Sequence, residues 1–326
     1  MIYRTGIIFI IMKQNCIEKT LEKYPFIVLD GGLATELERK GFMLKDRLWS
    51  ARVLVEHPEA IRDVHLSYLS AGADCITTSS YQATVRGFLA EGFSPSEARE
   101  LIVTSMRLAK EAIDIYNESS GKDKSGPVPF IAASAGCYGA YLADGSEYRG
   151  DYHLTKKEYM DFHRERLDIL ISAGADLIAF ETFPSFEEAE SVSDLMDEYK
   201  DIFYWIVFTV KDHIHTSHGD ILADCIRMLS GKKNISGAGI NCSQPEFVTP
   251  AIELLDKKIN IVVYPNSGEH FYTDCSCWRD DHGAGDYSKL APEWFGKGAK
   301  IIGGCCRTGP DDIRKISEFR KSIIPS

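Results

Sequence analysis

The stretch Lys300-Ile301-Ile302-Gly303-Gly304-Cys305-Cys306-Arg307-Thr308-Gly309-Pro310 runs from an apolar strand pattern through two glycines and two cysteines into a helix start. Adjacent cysteines rarely pair with each other, because the resulting disulfide is badly strained. Two thiolates side by side on a tight turn can instead grip one soft metal ion. The turn calls for residues without Cβ, and Gly303 and Gly304 supply them. The unit is a strand, a reactive turn and a helix, with the chemistry at the strand's C-terminal end.

The same grammar repeats toward the N-terminus. Apolar runs at 26–29, 74–78, 130–134, 176–180, 203–210, 235–240 and 260–264 precede the one at 300–302. Helical patterns separate them, at 58–72, 94–117, 155–174, 185–200, 220–229, 245–257 and 287–298, with a closing one at 310–323. Thr155 with Glu158 three residues on forms a capping box at one of these starts. Eight strands alternating with helices in one chain predict a single (β/α)8 TIM barrel of the α/β class. The runs are continuously apolar, as in parallel strands buried on both faces. No Gly-x-Gly-x-x-Gly follows the first run, so the doubly wound alternative lacks its usual cofactor signal. Residues 118–129 read as a solvated loop, and 136–153 and 268–285 as insertions.

The chain has 326 residues and a net charge of −11. That charge argues against a nucleic-acid partner and suits a cationic small molecule. Nine cysteines do not form the framework of a small secreted domain, so a reducing, cytoplasmic compartment is expected. The apolar stretch 5–11 is too short to cross a bilayer and lacks a cleavage site, so neither a membrane span nor a signal peptide is expected. Residues 1–20 read as an N-terminal extension, those before Met12 as a mis-called start, and residues 21–326 as one catalytic domain.

In a barrel the C-terminal strand ends meet on one face. Asp30, Thr78, Glu181, Cys242, Cys305 and Cys306 all fall at such ends. Two cysteines leave Zn²⁺ short of its tetrahedron, and Cys242 in Gly239-Ile240-Asn241-Cys242 is the candidate third ligand. Three thiolates make a poor Lewis acid for hydrolysis. They suit the holding of one more thiolate, which coordination deprotonates. The expected reaction is attack of a zinc-held substrate thiolate on an electrophilic carbon. Cys275 or Cys277 as a fourth ligand would make the site structural instead. Simple packing of buried cysteines is the other alternative. His213, His215 and His218 form an H-x-H-x-x-H that reads as a solvated loop. Asp30 either binds a substrate ammonium or caps the turn at Gly31 and Gly32. Glu181 ends an apolar strand, where a carboxylate needs a partner.

Asp30-Gly31-Gly32-Leu33-Ala34-Thr35-Glu36-Leu37-Glu38, Gly239-Ile240-Asn241-Cys242, Val263-Tyr264-Pro265-Asn266-Ser267-Gly268-Glu269 and Gly303-Gly304-Cys305-Cys306-Arg307-Thr308 resemble the homocysteine S-methyltransferase family. The resemblance runs from about Phe26 to the end, and the insertion from Gly139 to Tyr152 is similar to the branch with a sulfonium donor. It implies one Zn²⁺ held by Cys242, Cys305 and Cys306. It implies homocysteine beside Asp30, Gly31, Thr78, Glu181 and Asn241, and S-methylmethionine or S-adenosylmethionine as methyl donor. Cobalamin, folate and nicotinamide are not implied. The insertion's Asp144, Glu147 and Tyr148, with Asp151 and Tyr152, are expected to meet the donor. The rivals are a betaine-type or selenocysteine-type methyltransferase and a non-catalytic zinc-storing or redox-sensing barrel.

Overall fold

The computed structural model describes residues 15–42, 49–119, 126–272, 277–279 and 285–324. Eight parallel strands form one sheet: β1 Ile27–Val28, β2 Cys75–Thr77, β3 Phe130–Gly136, β4 Leu177–Phe183, β5 Phe203–Phe208, β6 Ile235–Asn241, β7 Ile261–Tyr264 and a final strand Ala299–Ile302. Pairing runs in order from β2 to β7, then through the final strand to β1. A parallel bridge between Leu29 and Cys75, with Asp30 N–H donating to Cys75 O at 3.1 Å, joins β1 to β2 and closes the barrel. All eight expected strands are present. The fourth runs three residues past the expected Phe180, so Glu181 lies within it.

The continuous apolar runs are explained by two separate buried clusters. Ile27, Leu29, Phe130, Ala132, Leu177 and Trp205 belong to one, inside the barrel. Val28, Ile131, Ala133, Ile178, Phe180 and Tyr204 belong to the other, between sheet and helices. Successive residues face opposite layers and both layers are dry, so no polar alternation is left in the sequence.

The eight expected long helices are present, among them Pro58–Ala71, Lys156–Ser172, Phe186–Met196 and Pro310–Ile323. Thr155 and Glu158 close the expected capping box. Five shorter helices were not expected: Cys16–Leu21, Leu33–Arg39, Trp49–Glu56, Val85–Ala90 and Tyr138–Leu142. Helices this short draw their stability from packing rather than propensity, so periodicity does not mark them.

The helix Cys16–Leu21 begins within the segment 1–20 read as an extension and runs one residue past it. Its Ile17 joins the interior cluster, and Asn15 Nδ2 donates to Ser236 Oγ at 2.9 Å near the start of β6. Residues 15–20 therefore form part of the barrel floor rather than a tail. The mis-called start proposed before Met12 lies outside the described residues. The segment expected to be irregular after Gly268 contains an antiparallel ribbon, His270–Tyr272 against Cys277–Arg279. Cys275 lies outside the described residues.

Candidate metal centre

The three cysteines come together from two strand ends. Cys305 Sγ lies 3.0 Å from Cys242 Sγ, and Cys242 Sγ lies 3.4 Å from Cys306 Sγ. Among the described residues this is the group of His, Cys, Asp and Glu side chains placed to hold one ion. Backbone bonds from neighbouring strands set the turns. Cys242 N–H donates to Tyr264 O at 3.2 Å, and Cys305 N–H to Pro265 O at 2.8 Å. Thr308 Oγ1 donates to Cys305 O at 2.7 Å.

Gly303 and Gly304 serve close packing. Neither adopts a positive φ. A Cβ on Gly303 would stand 2.8 Å from Asp30 O, and one on Gly304 2.3 Å from Thr308 Oγ1. The left-handed backbone falls instead on Cys242 itself, at φ +47°. A non-glycine residue there costs on the order of 1 kcal/mol, which the surrounding bonds must hold in place. Cys306 is held well below the ordinary thiol pKa by hydrogen bonds from Cys242 and then Cys305, while Cys305 is raised by the same contacts. One sulfur is thus ready to be anionic, and a soft dication would displace the remaining protons. Cys305 and Cys306 are only half-buried, so one side of the trio is open.

Two buried carboxylates share the same face. Asp30 Oδ2 accepts from Thr77 N–H at 2.8 Å, and burial pushes its pKa well up, with the Glu181 charge adding to the rise. Glu181 accepts from Tyr264 Oη at 2.9 Å and from Ser134 Oγ. Burial pushes it to about 7. Thr78 Oγ1 accepts from Ser134 N–H at 3.0 Å and lies 2.6 Å from Ser80 Oγ, which itself donates to Ser134 O. Thr78 therefore frames Ser134, the partner of Glu181. Asn241 spends both ends of its amide on Thr182: Oδ1 accepts from Thr182 N–H and Nδ2 donates to Thr182 Oγ1, each at 3.0 Å. Gly31 leaves room for Thr308 and Tyr68, each 2.9 Å from where a Cβ would sit.

The insertion divides its expected residues. Asp144 is exposed and accepts from Ser146 N–H at 3.0 Å within its own turn. Glu147 and Tyr148 lie on a single 3-10 turn, Ser146–Tyr148. Tyr148 Oη stands 3.3 Å from Cys242 Sγ. Glu147 is 8% exposed, its Oε2 has no hydrogen-bond partner among the described residues, and burial pushes it to about 7. The histidines do not converge: His215 pairs with Asp212, and His218 Nδ1 donates to Gly150 O at 2.7 Å.

Four residues escaped the sequence reading. Ser79 Oγ, Gln82 Oε1, Asn266 Oδ1 and Ser267 Oγ are buried polar atoms with no partner among the described residues, in the loops after β2 and β7. Buried polar atoms are seldom left unpaired without a reason such as a ligand. Their position within a few residues of strand ends was the available signal.

The sequence matches the family described as homocysteine S-methyltransferase over residues 27–320. The chain belongs to the homocysteine S-methyltransferase family. It is 47% identical to the Bacillus subtilis homocysteine S-methyltransferase YbgG over 95% of this chain and 99% of that one. It is 44% identical to the homocysteine S-methyltransferase of Escherichia coli over 93% of this chain and 98% of that one. The structure of the E. coli homocysteine methyltransferase MmuM in its metallated form aligns with a TM-score of 0.84 at 42% identity, covering 94% of this chain and all of that one. Like other members of the homocysteine S-methyltransferase family, this chain is an enzyme on a (β/α)8 barrel. Among its described residues no helix is long and apolar enough to cross a membrane.

Proposed function

We propose that the chain transfers a methyl group from a sulfonium donor, S-methylmethionine or S-adenosylmethionine, to the thiolate of homocysteine, giving methionine. The convergence of Cys242, Cys305 and Cys306 carries this reading. Cys242, Cys305 and Cys306 would hold Zn²⁺, the ion that suits an all-thiolate set. Zinc, when bound, supplies the positive charge that keeps an incoming thiol deprotonated at neutral pH.

The protein's own groups do the rest. Asp30 and Glu181 receive the homocysteine ammonium, which offsets the burial that raises both carboxyls. Asn241, through Thr182, keeps Glu181 and Cys242 in register. With Cys242 as a thiolate, the Tyr148 hydroxyl 3.3 Å away donates to its Sγ and spreads the charge. Glu147, buried on the same turn as Tyr148, gives the sulfonium a weak anionic neighbour. Weakness is an advantage here, because the donor's positive charge vanishes in the transition state and a strong anion would favour the ground state. The homocysteine sulfur forms the new S–CH3 bond as the donor's S–CH3 bond breaks. The bonding pair stays on the donor sulfur, and the thiol proton has gone to solvent. Positioning for in-line attack is the site's main contribution.

The test is purified protein with zinc and homocysteine, offered S-methylmethionine, S-adenosylmethionine or betaine in turn, with methionine measured. Methionine from a sulfonium and none from betaine supports the reading. Zinc bound without turnover of any donor overturns it in favour of a sensor.

A further inference from the structure

Outside the strands, between the helices Lys156–Ser172 and Phe186–Met196, lies a buried charged chain that the reaction above does not use. Glu188 is fully buried. Its Oε1 accepts from Tyr138 N–H at 2.6 Å and from His163 Nε2 at 2.8 Å, and its Oε2 accepts from Tyr152 Oη at 2.6 Å. His163 is buried too, and Arg166 Nη2 donates to its Nδ1 at 3.0 Å. The ring is thus neutral with its proton on Nε2. Arg166 continues the chain, donating from Nη2 to Gly136 O at 2.6 Å and from Nη1 to Tyr81 O at 3.2 Å.

Two of the three donors to Glu188 are the ends of one loop. Tyr138 opens the insertion and Tyr152 closes it, with Glu147 and Tyr148 between them. Their rings also pack, with centroids 5.5 Å apart. A Cβ on Gly139 would lie 2.6 Å from Glu147 N and 2.7 Å from Tyr152 Cε1, so the loop is folded tightly upon itself. A buried carboxylate is costly unless its donors are all in place. An apolar residue at position 188 would fill the same helix face without that cost. What the carboxylate adds is dependence on the loop: it is satisfied only when both loop ends are docked.

We propose that Glu188, braced by His163 and Arg166, is a positioning residue that pins both ends of the insertion and so holds Glu147 and Tyr148 at the cysteine trio. Its consequence for catalysis rests on the reading of the insertion as the donor site; the pinning itself does not.

Tyr152→Phe and Glu188→Gln test this on the zinc-loaded enzyme, by amide hydrogen exchange across 139–151, sulfonium KM and homocysteine Kd measured without donor. The Tyr152 variant removes one hydrogen bond and keeps the ring, so it preserves the test if the Glu188 variant fails to fold. Exchange in 139–151 is expected to rise about tenfold, and sulfonium KM similarly, with homocysteine Kd within about twofold. Local exchange that rises while sulfonium KM stays put supports the pinning and removes the insertion from the donor site. Unchanged exchange in 139–151 overturns the pinning whatever KM does. So does a rise spread evenly over the chain with a matching loss of homocysteine affinity.

Discussion

Asn241 and Thr182 hold each other through two hydrogen bonds of 3.0 Å, and each is next in sequence to a group of the site. Thr182 follows Glu181 and carries φ +64°; Asn241 precedes Cys242, which carries φ +47°. Two strained residues, one within β4 and one just past the end of β6, are thus locked by one amide. Asn241→Ala removes the lock without touching a sulfur or a carboxylate. Zinc affinity is expected to fall about 10- to 100-fold, as for other groups that orient metal ligands. Competition with a chromogenic chelator measures it; an unchanged affinity contradicts the role.

In the proposed reaction Glu181 receives the ammonium and so sets a pH limit on ligand binding. Its pKa is raised by burial from 4.5 to about 7, so the free protein holds a neutral carboxyl below that pH. An ammonium binds best to the ionised form, so binding requires loss of the proton. Methionine carries the ammonium and no thiol, which isolates this effect. Its Kd is expected to rise about tenfold per pH unit below about 7 and to flatten above it. In Glu181→Gln the slope is expected to become shallower, Asp30 being the other raised carboxyl at the ammonium. A slope retained in full in the variant assigns it to another group.

The same shift governs the ligand-free fold. A folded-state pKa above the unfolded one means that the contribution is fully present below pH 4.5 and is lost as pH rises through about 7. Glu181→Gln is expected to stabilise the free protein at pH 8, by up to about 3 kcal/mol, while weakening methionine binding. Denaturant unfolding at pH 4 and pH 8 reads the difference, and a destabilised variant at pH 8 contradicts the assignment.

Glu147 and Tyr148 are adjacent in sequence but differ in what they touch. Tyr148→Phe removes the hydroxyl 3.3 Å from Cys242 Sγ and is expected to lower kcat about tenfold with zinc content unchanged. Glu147→Ala removes the buried carboxylate and is expected to raise sulfonium KM severalfold with little effect on homocysteine. Equal effects on both substrates would merge the two roles.

Most of this was legible because five of the eight strands end at or near a residue whose chemistry is out of place in an apolar run. Glu181 after Phe180 and Cys242 after Asn241 stood out for that reason. What was not legible depends on long-range packing. Gly303 looked like a turn residue, and its reason lies in Asp30 O, hundreds of residues away in sequence. Asp144 and Glu147 read alike as acids in a loop. The left-handed residues Ala143, Gly145 and Gly150 around the 3-10 turn accompany a chain path that leaves one exposed and the other buried. Asn266 and Ser267 sit in a quoted motif but gained no role, because only the folded backbone shows that Ser267 N–H donates to Cys306 O at 3.1 Å.

In the proposed reaction three sulfurs of this chain share one zinc ion and leave room for a fourth. X-ray absorption at the zinc edge, with and without homocysteine, tests it most directly. Three sulfur scatterers at about 2.3 Å are expected in the free enzyme and four with homocysteine. Four sulfurs before homocysteine is added, or a count that homocysteine leaves unchanged, would contradict it.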